Sequence, residues 1–153
     1  MNRFRRLRQN QAIRRLVQET EISPKDLIYP IFVIEGENIK ELVESMPGVY
    51  RYSIDKIDEI LEEVDKSGIS GILLFGVPAH KDSVGSEAYN ENGVTQRAIR
   101  YIKAKYPNML VIADICLCEY TSHGHCGLIS GNEILNDEPL PLLAKAALTN
   151  VHA

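Results

Sequence analysis

The chain has 153 residues, 44% hydrophobic and 25% charged, which gives room for one sizeable core and suits a single globular domain or a piece of one. No stretch approaches the roughly 20 apolar residues of a spanning helix, and the N-terminus lacks the apolar segment of a secretory signal, so a cytoplasmic protein with no membrane partner is expected. The net charge of −4 hides an asymmetry: residues 1–18 of a basic arm hold six arginines, Arg3, Arg5, Arg6, Arg8, Arg14 and Arg15, and no acid, and all 21 acidic residues follow that stretch. Phe4 is the arm's only aromatic, so no base-stacking surface accompanies the charge and no nucleic-acid partner is expected. An arm docked on protein or loosely solvated is the simpler reading.

Residues 1–23 are read as the arm and 24–153 as the folded domain. After the arm, apolar runs alternate with amphipathic stretches, the signature of βα units around a parallel sheet. The runs are residues 27–33 (LIYPIFV), 71–76 (GILLFG) and 110–118 (LVIADICLC). Their continuous apolarity predicts strands covered on both faces. Pro30 sits awkwardly in the first, since it cannot donate to the ladder. A first helix is expected after Ser53 as N-cap, with Ile57, Ile60, Leu61 and Val64 at helical spacing and Gly68 to end it. A second is expected over 94–106, burying Val94, Ala98, Ile99 and Ile102 before Pro107. A third should begin near Pro141 and run to the end of the chain.

The predicted strands start about 40 residues apart, so eight such units would need on the order of 320 residues, the size of a (β/α)8 barrel. The expected fold is therefore α/β, a partial TIM barrel of about three βα units. The series stops inside the third helix with no stop signal, which reads as a truncation.

Alternation along the third strand places Leu110, Ile112, Asp114, Cys116 and Cys118 on one side and Val111, Ala113, Ile115 and Leu117 on the other. The all-apolar side belongs against helices. The mixed side faces the barrel interior, with its polar members at the C-terminal end, where barrel enzymes build their sites. A third thiol, Cys126, follows a loop containing His123 and His125. Three sulfurs in reach of one another suit zinc and leave a fourth position for water or substrate. His123 and His125 are competing ligands, or donors and acid/base groups around the metal. The alternatives are small buried hydrophobic cysteines with loop-capping histidines, or a thiol redox sensor.

The segment Asp114-Ile115-Cys116-Leu117-Cys118-Glu119-Tyr120-Thr121-Ser122-His123-Gly124-His125-Cys126-Gly127 closely resembles the zinc-binding segment of porphobilinogen synthases, also called 5-aminolevulinate dehydratases. The resemblance extends over essentially the whole chain, including the arginine-rich arm, Leu27-Ile28-Tyr29-Pro30-Ile31-Phe32, Met46-Pro47-Gly48-Val49, Phe75-Gly76-Val77-Pro78 and Lys81-Asp82. Pro30 belongs to the family's pattern. Glu138-Pro139-Leu140-Pro141 departs from it and shifts the third helix start later.

By that resemblance, Cys116, Cys118 and Cys126 are the zinc ligands and Asp114 lines the active site. The implied activity is that of a lyase which joins two 5-aminolevulinate molecules into porphobilinogen for tetrapyrrole and haem synthesis. The implied assembly is a homo-oligomer, commonly an octamer, held through the arm. The family's two Schiff-base lysines belong to later strands. Lys145 reads as a solvated helix residue and Lys81 as a loop lysine, so no catalytic lysine is expected here. The 153 residues alone are then expected to be inactive, a zinc-binding or subunit-docking fragment.

Overall fold

A computed structural model describes residues 5–153, so Arg3 and Phe4 of the predicted arm lie outside the described residues. The described part of the arm carries a 3-10 turn (Arg6–Arg8) and a short α-helix, α1 (Gln11–Leu16), capped by the Asn10 side chain, which accepts from the Ile13 amide at 2.9 Å. None of its residues is buried.

The body is a mixed α/β structure around a five-stranded sheet. Its strands are β1 (Ile28–Ile34), β2 (Lys40–Leu42), β3 (Tyr50–Tyr52), β4 (Gly71–Val77) and β5 (Leu110–Ala113), in the order β2-β3-β1-β4-β5. β3, β1, β4 and β5 run parallel, and only β2 is antiparallel, to β3. The three predicted runs are the centre and one edge of this sheet. β2 and β3 are additional, as is a small hairpin of β6 (Ile129–Ser130) and β7 (Glu133–Ile134). Pro30 is accommodated because β3 pairs only with Phe32 and Val33, so that β1 has a single neighbour at the proline.

Two expectations about the strands are corrected. The third strand was expected to reach Cys118 but ends at Ala113, prolonged only by the Asp114 amide donating to the Leu74 carbonyl at 3.1 Å. No strand beyond β5 pairs it among the described residues. The strands are also covered on one face rather than two. Ile31, Val33, Ile72 and Leu74 are buried under the helices, while Phe32 and Phe75, stacked with centroids 5.3 Å apart, are half-buried on the other side.

The first major helix, α2 (Asp58–Lys66), begins later than predicted. Ser53 does not cap it. Its hydroxyl accepts from the Ile39 amide at 2.9 Å, tying the end of β3 to the loop before β2, and a turn over 54–57 leads into the helix. Gly68, with φ of 74°, ends α2 as expected, since a left-handed conformation there costs glycine nothing. Helix α3 (Val94–Lys105) buries the four apolar residues predicted for it, together with Thr95 and Gln96. Helix α4 (Leu140–His152) starts beside Pro141 and buries only Ala146. Ile57, Leu61, Ile72, Leu74 and Ile102 are the largest fully buried apolar side chains of this core, each contributing about 2 kcal/mol by leaving water.

A polar clamp joins α2 to α3. Asp58 accepts from Tyr101 at 2.6 Å and pairs with Lys105, with Tyr106 at 3.3 Å. Burial resists the charge on Asp58, but these donors outweigh it and hold the carboxyl below its ordinary range. No helix among the described residues is long and apolar enough to cross a membrane.

Candidate metal centre

The site grows from the end of β5. Val111 and Ala113 pack on the helix-covered core, and Val111, Ala113 and Ile115 line a shared groove with Ile99 of α3 and Ala147 and Val151 of α4. Asp114 continues the opposite, open face begun by Leu110 and Ile112. The predicted division of faces therefore holds up to Ile115, although the strand itself is shorter. Cys116 and Cys118 lie beyond the strand, Cys116 in irregular chain just before a bend at Leu117 and Cys118 in the tight turn that follows. The turn is closed by the amides of Tyr120 and Thr121, which donate to the Leu117 carbonyl at 2.9 and 2.8 Å. It places the sulfurs of Cys116 and Cys118 3.3 Å apart, so the thiols meet through a turn and not through strand alternation.

The chain then folds back. Thr121, buried, donates from its hydroxyl to the His125 carbonyl at 3.0 Å, closing the loop that returns Cys126. As a result, Sγ of Cys116, Cys118 and Cys126 all lie within 4.8 Å of one another. Around a tetrahedral zinc with Zn–S bonds of about 2.3 Å, sulfurs stand about 3.8 Å apart, so the observed set needs only small adjustments to embrace one ion. The donor chemistry fits as well, since three soft thiolates select zinc-like cations. No disulfide competes, all three cysteines being free thiols.

Electrostatics favour a cation at this point. Burial, and then the thiols of Cys116 and Cys126, push the Cys118 thiol up to about 12. The neighbouring Cys116 thiol raises Cys126 as well. Glu119, which the sequence reading passed over, is pushed up to about 7 by burial and then by the carboxylate of Asp114, against the pull of Lys81. Its Oε2 is buried without a hydrogen-bond partner. Asp114, Cys116 and Glu119 form a second group whose ligand atoms lie within 4.8 Å of one another, sharing Cys116 with the first. The raised Cys118, Cys126 and Glu119 are groups whose charged forms a nearby cation would favour.

His123 and His125 are not part of either ligand group. Their rings stack with centroids 5.7 Å apart, and His123 Nδ1 accepts from the His125 amide at 3.2 Å. His123 also reaches the Ser83 carbonyl at 3.3 Å. The cysteine loop meets the loop after β4 at a second place as well. Asp82 and Thr121 form an isolated parallel bridge, and the Ser122 amide donates to the Asp82 carbonyl at 2.8 Å. Lys81 is exposed beside this junction. Lys145 is exposed on α4, its ammonium 5.7 Å from the Tyr89 ring.

With this geometry in hand, comparison with known proteins is informative. The family model described as delta-aminolevulinic acid dehydratase matches residues 1–153. The enzyme of that name from Ruminiclostridium josui is 52% identical over 153 residues, covering 100% of this chain and 75% of the relative. Those from Halalkalibacterium halodurans and Bacillus subtilis are 54% and 49% identical, covering 99% of this chain but 46% and 47% of the relatives. The chain thus spans about half the length of these last two. A crystal structure of delta-aminolevulinic acid dehydratase from Toxoplasma gondii, in complex with its product porphobilinogen, superposes with a TM-score of 0.90 at 36% identity, covering 99% of this chain and 44% of that one. The chain belongs to the delta-aminolevulinic acid dehydratase family.

Proposed function

We propose that this chain is the metal-binding portion of a porphobilinogen synthase, a cytoplasmic lyase that condenses two molecules of 5-aminolevulinate to porphobilinogen for tetrapyrrole synthesis. The observation that carries the reading is the convergence of three free thiols within 4.8 Å beyond the end of a parallel strand. Cys116, Cys118 and Cys126 would hold the metal, zinc on the chemistry of the donor set. Zinc in that setting supplies Lewis acidity, tempered because three thiolates leave the centre with a net charge of −1.

This chain's own residues do the rest. Asp114 lines the open face beside Glu119, whose carboxyl is pushed up to about 7 by burial and then by the neighbouring Asp114. The half-buried Phe32–Phe75 pair gives the same face an apolar floor. The sheet order and the single covered face support the assignment of residues 24–153 to part of a (β/α)8 barrel, with that open face turned inwards. The basic arm, residues 1–23, would contact a second subunit of a homo-oligomer, an octamer by family resemblance, and none of its described helix is buried against its own body.

The two Schiff-base lysines are assigned to strands outside these residues, and neither Lys81 nor Lys145 replaces them. A non-catalytic zinc-binding or docking role is therefore the reading for the 153 residues taken alone, favoured by the unpaired outer edge of β5. Two measurements on the purified chain test the proposal. Metal analysis should find one zinc per chain, and incubation with 5-aminolevulinate should yield no porphobilinogen. A metal-free chain whose thiols instead titrate reversibly with oxidant would replace this reading with a redox one.

A further inference from the structure

Within the cysteine segment, three side chains point away from the thiols. Leu117, Tyr120 and Thr121 are buried, whereas Cys116 and Cys118 are half-buried and Cys126 is exposed. Leu117 and Tyr120 pack with Ala88 and Ala146 in a small core of their own. Tyr120 carries a polar group into that core, and its hydroxyl shares a hydrogen bond of 2.8 Å with Thr95 Oγ1, in the first turn of α3. The bond exists because of a glycine. A Cβ on Gly76, near the end of β4, would stand 2.1 Å from Thr95 Oγ1 and 2.6 Å from the Tyr120 hydroxyl.

The thiols do not assemble themselves. Cys116 and Cys118 are only half-buried and Cys126 is exposed, so packing around the sulfurs themselves does little to fix their positions. Their arrangement has to be held by the other side of the segment. Tyr120 is anchored through its own amide to the turn that contains Cys118, and through its hydroxyl to α3. We infer that Tyr120 is a positioning residue: its buried hydrogen bond to Thr95, in the space left by Gly76, sets the turn that bears Cys118 and follows Cys116 so that the three thiols receive a thiophilic divalent cation. The inference rests on the three-cysteine reading of the preceding section and assigns the geometry of that site to a residue that never touches the ion.

The test uses the 153-residue chain with Tyr120→Phe and Thr95→Val, which remove one hydroxyl each and keep the packing. Titration with Co2+, followed by its thiolate charge-transfer absorption, should show each variant binding about fivefold more weakly, the effect of one buried hydrogen bond. The double variant should be no weaker than either single one, since both remove the same bond. Ile102→Val, remote from the loop, controls for a general loss of stability: it should lower the unfolding midpoint and leave Co2+ affinity unchanged. Unaltered Co2+ affinity and spectrum in both single variants, with both folded, overturns the inference. Capture of the thiols by a trivalent arsenical, which requires convergent sulfurs but no metal, separates this result from failure of the metal reading. If the unsubstituted chain takes up no Co2+, the metal reading falls, and the positioning role then stands on slower arsenical capture by Tyr120→Phe or falls on an equal rate.

Discussion

The two faces of the sheet are built to different ends. On the helix-covered face, Ile31, Val33, Ile72 and Leu74 are all but fully buried, and their partners are the regular apolar stripes of α2 and α3. On the open face, Phe32, Phe75 and Asp114 are half-buried and lead to a loop in which burial and crowding raise both a thiol, Cys118, and a carboxyl, Glu119. The first face contributes most of the folding free energy. The second spends conformational order on chemistry and gains little stability from doing so.

That contrast can be broken at several points. Cys118→Ala should reduce zinc affinity by about a hundredfold while leaving the cooperative unfolding of the metal-free chain nearly intact, as metal analysis and denaturant titration would show. Leu74→Ala should do the reverse, costing about 3 kcal/mol of stability through transfer and cavity terms, with zinc binding retained wherever the chain is folded. Phe75→Ala, on the open face, should cost about 1 kcal/mol, because a half-buried ring gives up less contact with the protein. Equal losses for Leu74→Ala and Phe75→Ala would erase the distinction between the faces.

The smallest effect concerns pH. Asp58 has a folded pKa below its unfolded value, so its contribution is complete above the unfolded carboxylate range, near pH 4, and is lost as pH falls through the folded value. With Lys105 half-exposed, the contribution is below about 1 kcal/mol. Urea melts at neutral pH and near pH 3 should show Asp58→Asn losing less stability on acidification than the unsubstituted chain. An identical loss in both would remove the clamp from the account.

Much of this was legible in the residues. Helix α3 could be read from apolar spacing because Val94, Ala98, Ile99 and Ile102 obey a period that packing preserves. The cysteine cluster could be read from the motif. Its route was not legible, because the turn closed on the Leu117 carbonyl depends on main-chain hydrogen bonds that side-chain alternation cannot anticipate. β2 and β3 escaped notice because KEL and YRY are short, β2 exposed throughout and β3 burying only Tyr52, and because both are defined by their neighbours. The hairpin of β6 and β7 left a local signal, the turn dipeptide Gly131-Asn132 between two short extended runs. Glu119 left none: a glutamate in a loop reads as solvated, and only the folded arrangement buries its Oε2 beside Asp114.

The junction between the cysteine loop and the loop after β4 has a mechanical consequence. Because Asp82 bridges Thr121 and receives the Ser122 amide, a displacement at the thiols is transmitted to residues 80–83 without passing through the core. A reporter on the exposed Lys81 side chain would therefore register occupancy of the thiol cluster from outside it, giving an optical readout of metal loading that leaves every sulfur untouched.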